Sequence, residues 1–121
     1  MASLKGKVAV VTGSSRGIGR GIAERLAQDG ATVVVNYTKN AGEAQKVVAG
    51  IQNGGGVAMA VQADVSKIDD IRRLFRETKK AFGRLDILIN NAGTYWAKPI
   101  IDTSEEEYDQ MFAINAKGQF F

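Results

Sequence analysis

"VVTGSSRGIGRGIA", residues 10–23, decides how this chain is read. Glycines at 13, 17, 19 and 21 stand between two apolar runs, where side chains would otherwise be buried. Glycine weakens strand and helix interiors by roughly 0.5–1 kcal/mol relative to alanine, so the bare backbone needs a reason. Two reasons fit. One is a tight strand-to-helix turn. The other is a turn whose free N–H groups, at the positive end of a helix, hold an anion. The spacing is not that of a P-loop, because no Gly-Lys-Ser/Thr triplet follows; an ATPase or GTPase of that type is excluded.

Outward from this loop, apolar runs of strand length alternate with stretches of helical period. "KVAVVT" (7–12) is a continuous valine-rich run, the pattern of a strand buried on both faces of a parallel sheet. Ile18, Ile22, Ala23, Leu26 and Ala27 then recur at helical spacing, and Gly30 is a stop. "TVVVNY" (32–37) reads as a second strand. Ala41, Ala44, Val47, Val48 and Ile51 form a second helical stripe that ends at Gly54. "VAMAVQA" (57–63) is the third strand. Ser66 and Asp69 resemble a capping box in front of Ile68, Ile71, Leu74, Phe75 and Phe82, with Gly83 as stop. "DILINN" (86–91) is the fourth strand, and Ser104 with Glu107 opens a last helix. Strict alternation of strand and helix, with right-handed crossovers, predicts a doubly wound α/β fold. The expected parallel sheet is of Rossmann type, with strand order 3-2-1-4 and a truncation after the fourth strand and its helix. In such a sheet ligands bind beyond the carboxyl ends of the strands.

The 121 residues suffice for one domain, with a core that removes roughly two-thirds of the unfolded surface from water. There is no cysteine and no histidine, which excludes disulfides, zinc-thiolate sites, thiol catalysis and the commonest general base. The net charge of +3 is spread along the chain without a basic run, so no nucleic-acid partner is expected. No apolar run approaches the ~20 residues of a membrane span. The opening "MASLKGK" is short and polar for a signal peptide, and a cytoplasmic protein is the expectation.

Four features together resemble the N-terminal half of a short-chain dehydrogenase/reductase, on the 3-oxoacyl-carrier-protein reductase-like branch. They are Thr12-Gly13-x-x-x-Gly17-x-Gly19, Asp64 after the third strand, "NNAG" (90–93) after the fourth, and Asn115 in the next helix. The resemblance spans all 121 residues, read as one partial dinucleotide-binding domain. It implies that Gly13, Gly17 and Gly19 shape a pyrophosphate turn, with Ser15 and the backbone of Ile18 also in the cofactor site. Asp64 would accept from the adenine amino group, with Val65 against the ring. Asn90, Asn91, Ala92 and Gly93 would line the ribose and nicotinamide side. Each has a structural alternative: Asp64 can hold the next turn, and "NNAG" can lock the fourth strand to the first.

Charge points to which dinucleotide. Enzymes that choose NAD commonly carry an acid near the end of the second strand. Here Asn36, Tyr37 and Thr38 are uncharged, and Arg16 in the loop suits a 2′-phosphate, with Lys39 as a weaker candidate. The expectation is NADP(H), with NAD(H) as the alternative; otherwise Arg16 is a solvated loop residue.

The resemblance further implies hydride transfer between nicotinamide and a carbonyl or alcohol substrate, through a tyrosine with a lysine four residues on and a serine. Tyr37, Tyr95 and Tyr108 are followed at that distance by Ala41, Pro99 and Phe112. The family's pair falls later than residue 121, and Asn115 is the one catalytic candidate, as support for a proton relay. The competing reading is a non-catalytic dinucleotide-binding or oligomerisation module. The expected partners are a small carbonyl compound and further copies of the chain, as dimer or tetramer.

Overall fold

The computed structural model describes residues 3–91 of the 121. The elements in chain order are β1 (Val8–Val11), α1 (Gly17–Gln28), β2 (Thr32–Tyr37), α2 (Ala41–Asn53), β3 (Ala58–Gln62), α3 (Ile68–Phe82) and β4 (Ile87–Ile89). Four strands form one parallel sheet in the order β3-β2-β1-β4. That is the order expected from the alternation.

Two of the pairings explain why β1 and β2 can be valine throughout. β1 is bonded on one side to β2, with Val10 opposite Val34, and on the other to β4, with Val10 opposite Leu88. Alternate residues point to opposite faces. Val11, Val33 and Val35 pack with Ala23, Ala44, Val47 and Ile51 beneath α1 and α2. Val10, Val34, Val61 and Leu88 pack with Leu74 beneath α3. Both faces are therefore covered, and the residues of both strands that reach the core sit at or near zero exposure.

The strands are shorter than their apolar runs. Val57 is 53% exposed and precedes β3, which begins at Ala58. β4 covers three residues of the six in "DILINN". A strand persists only where a neighbour supplies ladder partners, and the printed register of β1 with β4 runs from Ala9–Ile87 to Val11–Ile89.

The helix stops fall where glycine was read. Gly30 follows α1 at φ 102°, Gly54 caps α2, and Gly83 caps α3 in the left-handed region at φ 77°. Two helix starts differ from expectation. Ile18 does not join the buried stripe of α1: it is 77% exposed, because the first turn projects beyond the carboxyl edge of the sheet. Ser66 is not the cap of α3. That position falls to Lys67, with extended backbone and no capping side chain. The Ser66 hydroxyl instead donates to Asp64 Oδ1, which draws it away from the helix amides. The second expected capping box, Ser104 with Glu107, lies outside the described residues.

Among the described residues no helix is long and apolar enough to cross a membrane, and no group of acidic residues forms a metal-ion cluster.

Candidate functional site

A cleft of about 540 Å³ opens at the carboxyl ends of β1, β2 and β3. Gly13, Ser15 and Arg16 line it from the turn after β1. Tyr37, Thr38, Lys39 and Asn40 line it from the end of β2, and Asp64, Val65 and Ser66 from the end of β3. Asn91, just past β4, completes the described wall. A volume of several hundred Å³ is that of a small-molecule or cofactor site.

The turn from β1 into α1 is built from the glycines that opened the sequence. Gly13 and Gly17 take φ of 60° and 62°, a region L side chains rarely enter. Gly19 has a different reason. A Cβ there would run into Gly13 O and Asn91 Nδ2, so the close approach of helix and loop requires hydrogen. Gly21 has neither constraint: its φ is negative and an added Cβ meets nothing among the described residues.

Arg16 is the N-cap of α1 in extended conformation and its side chain makes no capping bond. The amides of Gly17, Ile18 and Gly19 thus open the helix with no acceptor among the described residues, beside the cleft. Uncapped helix amides carry partial positive charge and favour an anion. The Arg16 guanidinium is exposed and has no partner among the described residues. Lys39 stands on the same cleft and helps hold the Asp64 carboxylate in its charged form.

Asp64 does what its structural alternative describes. Its Oδ1 accepts from the N–H and hydroxyl of Ser66, tying the turn after β3. Those two bonds, the hydroxyl foremost, hold its carboxyl below its ordinary value against the opposing effect of burial, with Lys67 and Lys39 assisting. Asp70 reaches back from α3 and accepts from Asp64 N–H at 2.8 Å. The carboxylate still borders the cleft, so the structural role leaves it available to a ligand.

Asn91 likewise locks strands together. Its N–H donates to Thr12 Oγ1 at 2.9 Å, and its Nδ2 donates to Gly13 O at 3.1 Å. The end of β4 is thereby fastened to the glycine turn. Asn90 is exposed and is not part of the described cleft wall.

Asn36 departs from expectation. It was placed among the cofactor contacts, yet it is 1% exposed and lies beneath the cleft rather than in its wall. Its carboxamide is bonded to Gly13, Val61 and Ala63, all within the protein. Buried between strand ends, it is drawn inward by backbone groups that would otherwise be unpaired.

Ser14 was missed by sequence reasoning. It is fully buried, donates to Val11 O at 2.7 Å and accepts from Asn36 N–H at 3.1 Å. A serine just after a strand, free to bond back to the chain, was the available signal. Ser66 and Asn40, which also line the cleft, carried no such signal. Ala92, Gly93 and Asn115 lie outside the described residues.

Residues 7–121 match the family described as short chain dehydrogenase. The chain belongs to that family. It is 50% identical over 119 residues to a hydroxynaphthalene reductase-like protein of Metarhizium guizhouense, an alignment covering 98% of this chain and 45% of the relative. A dehydrogenase/reductase structure from Sinorhizobium meliloti is similar at a TM-score of 0.75 and 43% identity, covering 98% of this chain and 47% of that one. A short chain dehydrogenase from Burkholderia cenocepacia, solved in complex with NADP, is similar at 0.72 and 46%, covering 95% and 47%. This short chain dehydrogenase sequence therefore spans less than half the length of the relatives it matches.

Proposed function

We propose that the chain provides the NADP(H)-binding part of an oxidoreductase that moves hydride between nicotinamide and a carbonyl or alcohol carbon. One observation carries the reading. Three uncapped amides at the start of α1 and an unpartnered arginine meet in one cleft at the carboxyl edge of the sheet. The donor set suits a dinucleotide. Gly17, Ile18 and Gly19 N–H would hold the diphosphate, and Asp64 and Val65 would border the adenine. A nicotinamide cofactor supplies or takes the hydride; this chain binds and orients it. The similarity to a structure bound to NADP supports the same assignment.

NADP(H) over NAD(H) rests on charge. At the end of β2 the cleft is lined by Tyr37, Thr38, Lys39 and Asn40, without an acid, and Arg16 faces it from the turn. Arginine presents a planar fork of donors suited to a phosphoryl group. The chain carries no Tyr-x-x-x-Lys, so the second reading, a binding module without turnover of its own, attaches to these 121 residues taken alone.

Calorimetric titration with NADPH and NADH tests the proposal. The chain is expected to prefer NADPH. Arg16→Ala is expected to weaken NADPH by about 10- to 100-fold, the worth of a charge-assisted hydrogen bond, and to leave NADH nearly unchanged. Equal loss for both nucleotides refutes the role of Arg16. No binding of either refutes the cofactor reading. Hydride transfer to ketones by the 121-residue chain would exclude the module reading.

A further inference from the structure

Position 36 is where an acid selects NAD in many dinucleotide-binding folds, because the end of the second strand approaches the adenosine ribose. In this chain the residue faces the other way. Asn36 Oδ1 accepts from Gly13 N–H at 3.1 Å. Nδ2 donates to Val61 O and to Ala63 O, each at 3.2 Å. An N–H on one side and two carbonyls on the other admit a single orientation of the carboxamide. The backbone is engaged as well: Asn36 N–H donates to Ser14 Oγ at 3.1 Å, and Asn36 O accepts from Ser14 N–H at 3.0 Å. Every polar group of Asn36 has a partner within the protein.

We propose that Asn36 is a positioning residue that couples the two ends of the cleft, and that the adenosine ribose is read at Thr38 rather than at position 36. The inference rests on the dinucleotide reading given above. Gly13 belongs to the turn proposed for the diphosphate, and Ala63 immediately precedes Asp64 and Val65 at the proposed adenine end. One buried carboxamide bridges them. Thr38, by contrast, is exposed and lines the cleft.

Substitution separates the two halves of the bridge. Asn36→Asp keeps an acceptor for Gly13 N–H and loses both donors. Val61 O and Ala63 O would then face a carboxyl group, whose burial disfavours the charge and whose single proton serves only one of them. Asn36→Leu removes the acceptor too, and leaves Gly13 N–H unpaired. Neither variant places a charge against the ribose.

The test combines NADPH and NADH titrations of Asn36→Asp and Thr38→Asp, done well below the unfolding temperature, with amide exchange of the ligand-free chain by NMR. Asn36→Asp is expected to weaken both nucleotides by about tenfold, with their ratio held within about twofold. Thr38→Asp is expected to shift the ratio towards NADH by about tenfold. In the ligand-free chain the Gly13 amide is expected to stay protected in Asn36→Asp and to lose protection in Asn36→Leu. A gain of NADH at the expense of NADPH in Asn36→Asp overturns the proposal. So does a Gly13 amide that exchanges equally fast in the unsubstituted chain and in Asn36→Leu. If Asn36→Asp does not fold, the Thr38→Asp ratio and the protection of Gly13 in the unsubstituted chain decide. If the unsubstituted chain binds neither nucleotide, the cofactor reading falls, and amide exchange alone decides the coupling.

Discussion

Gly19 and Gly21 lie two residues apart in α1, and alanine is expected to act on them with opposite sign. At Gly21 an added methyl meets nothing among the described residues, and the backbone is helical. Alanine there gains helix propensity and restricts the unfolded chain, a stabilisation of about 0.5–1 kcal/mol. At Gly19 the same methyl would meet Gly13 O and Asn91 Nδ2. The asparagine side chain can move, at the loss of its 3.1 Å bond to Gly13 O, worth about 1 kcal/mol. The Gly13 carbonyl belongs to a turn already held by Asn36 and cannot move freely. Overpacking of this kind costs about 1–3 kcal/mol. Set against at most about 1 kcal/mol of helix propensity, Gly19→Ala is destabilising by about 1–3 kcal/mol. Urea unfolding monitored by far-UV circular dichroism measures both variants, with the midpoint falling for Gly19→Ala and rising for Gly21→Ala. Equal stability of the two refutes the argument that close approach, rather than helix entry in general, demands glycine at 19.

Further outcomes follow from single contacts. Asp86 Oδ2 accepts from Val8 N–H at 2.8 Å, which pins the start of β4 to β1, and Asp86 also pairs with Arg84. Asp86→Ala is expected to cost about 1–3 kcal/mol by leaving that strand amide without its acceptor, read as a lower urea midpoint. Burial works to raise the Asp86 carboxyl, but Arg84 and the Val8 N–H outweigh it and hold the group below its ordinary 3.8. Its stabilisation is therefore complete above the unfolded value and is lost as pH falls through the lower folded one, so the acid limb of the stability curve should flatten in Asp86→Ala. Thr78 is fully buried in α3, and its hydroxyl donates to Leu74 O one turn back. Thr78→Val is expected to lie within about 1 kcal/mol of the unsubstituted chain by thermal unfolding, because that carbonyl keeps its helical partner. Asp64→Ala frees Ser66 and loosens the turn after β3, so weaker binding of NADPH and NADH alike is expected in the same titrations.

Much of this protein was legible from one dimension. Valine-rich runs separated by helical stripes determined the element types. Their strict alternation determined a parallel sheet and its order, since right-handed crossovers admit few others. The glycine loop announced where the cleft would lie. What the sequence could not settle was the direction of polar side chains at strand ends. Asn36, Asp64 and Asn91 all read as ligand contacts. Asn36 proved to be internal because Val61 and Ala63, far along the chain, bring two carbonyls against it. Asn91 rather than Asn90 fastens β4, because Asn91 is the one that meets Thr12 and Gly13. Local pattern determines secondary structure because its hydrogen bonds and burial repeat at short range. The partner of a lone polar group is chosen by backbone from distant segments, and only the assembled sheet brings that backbone within reach.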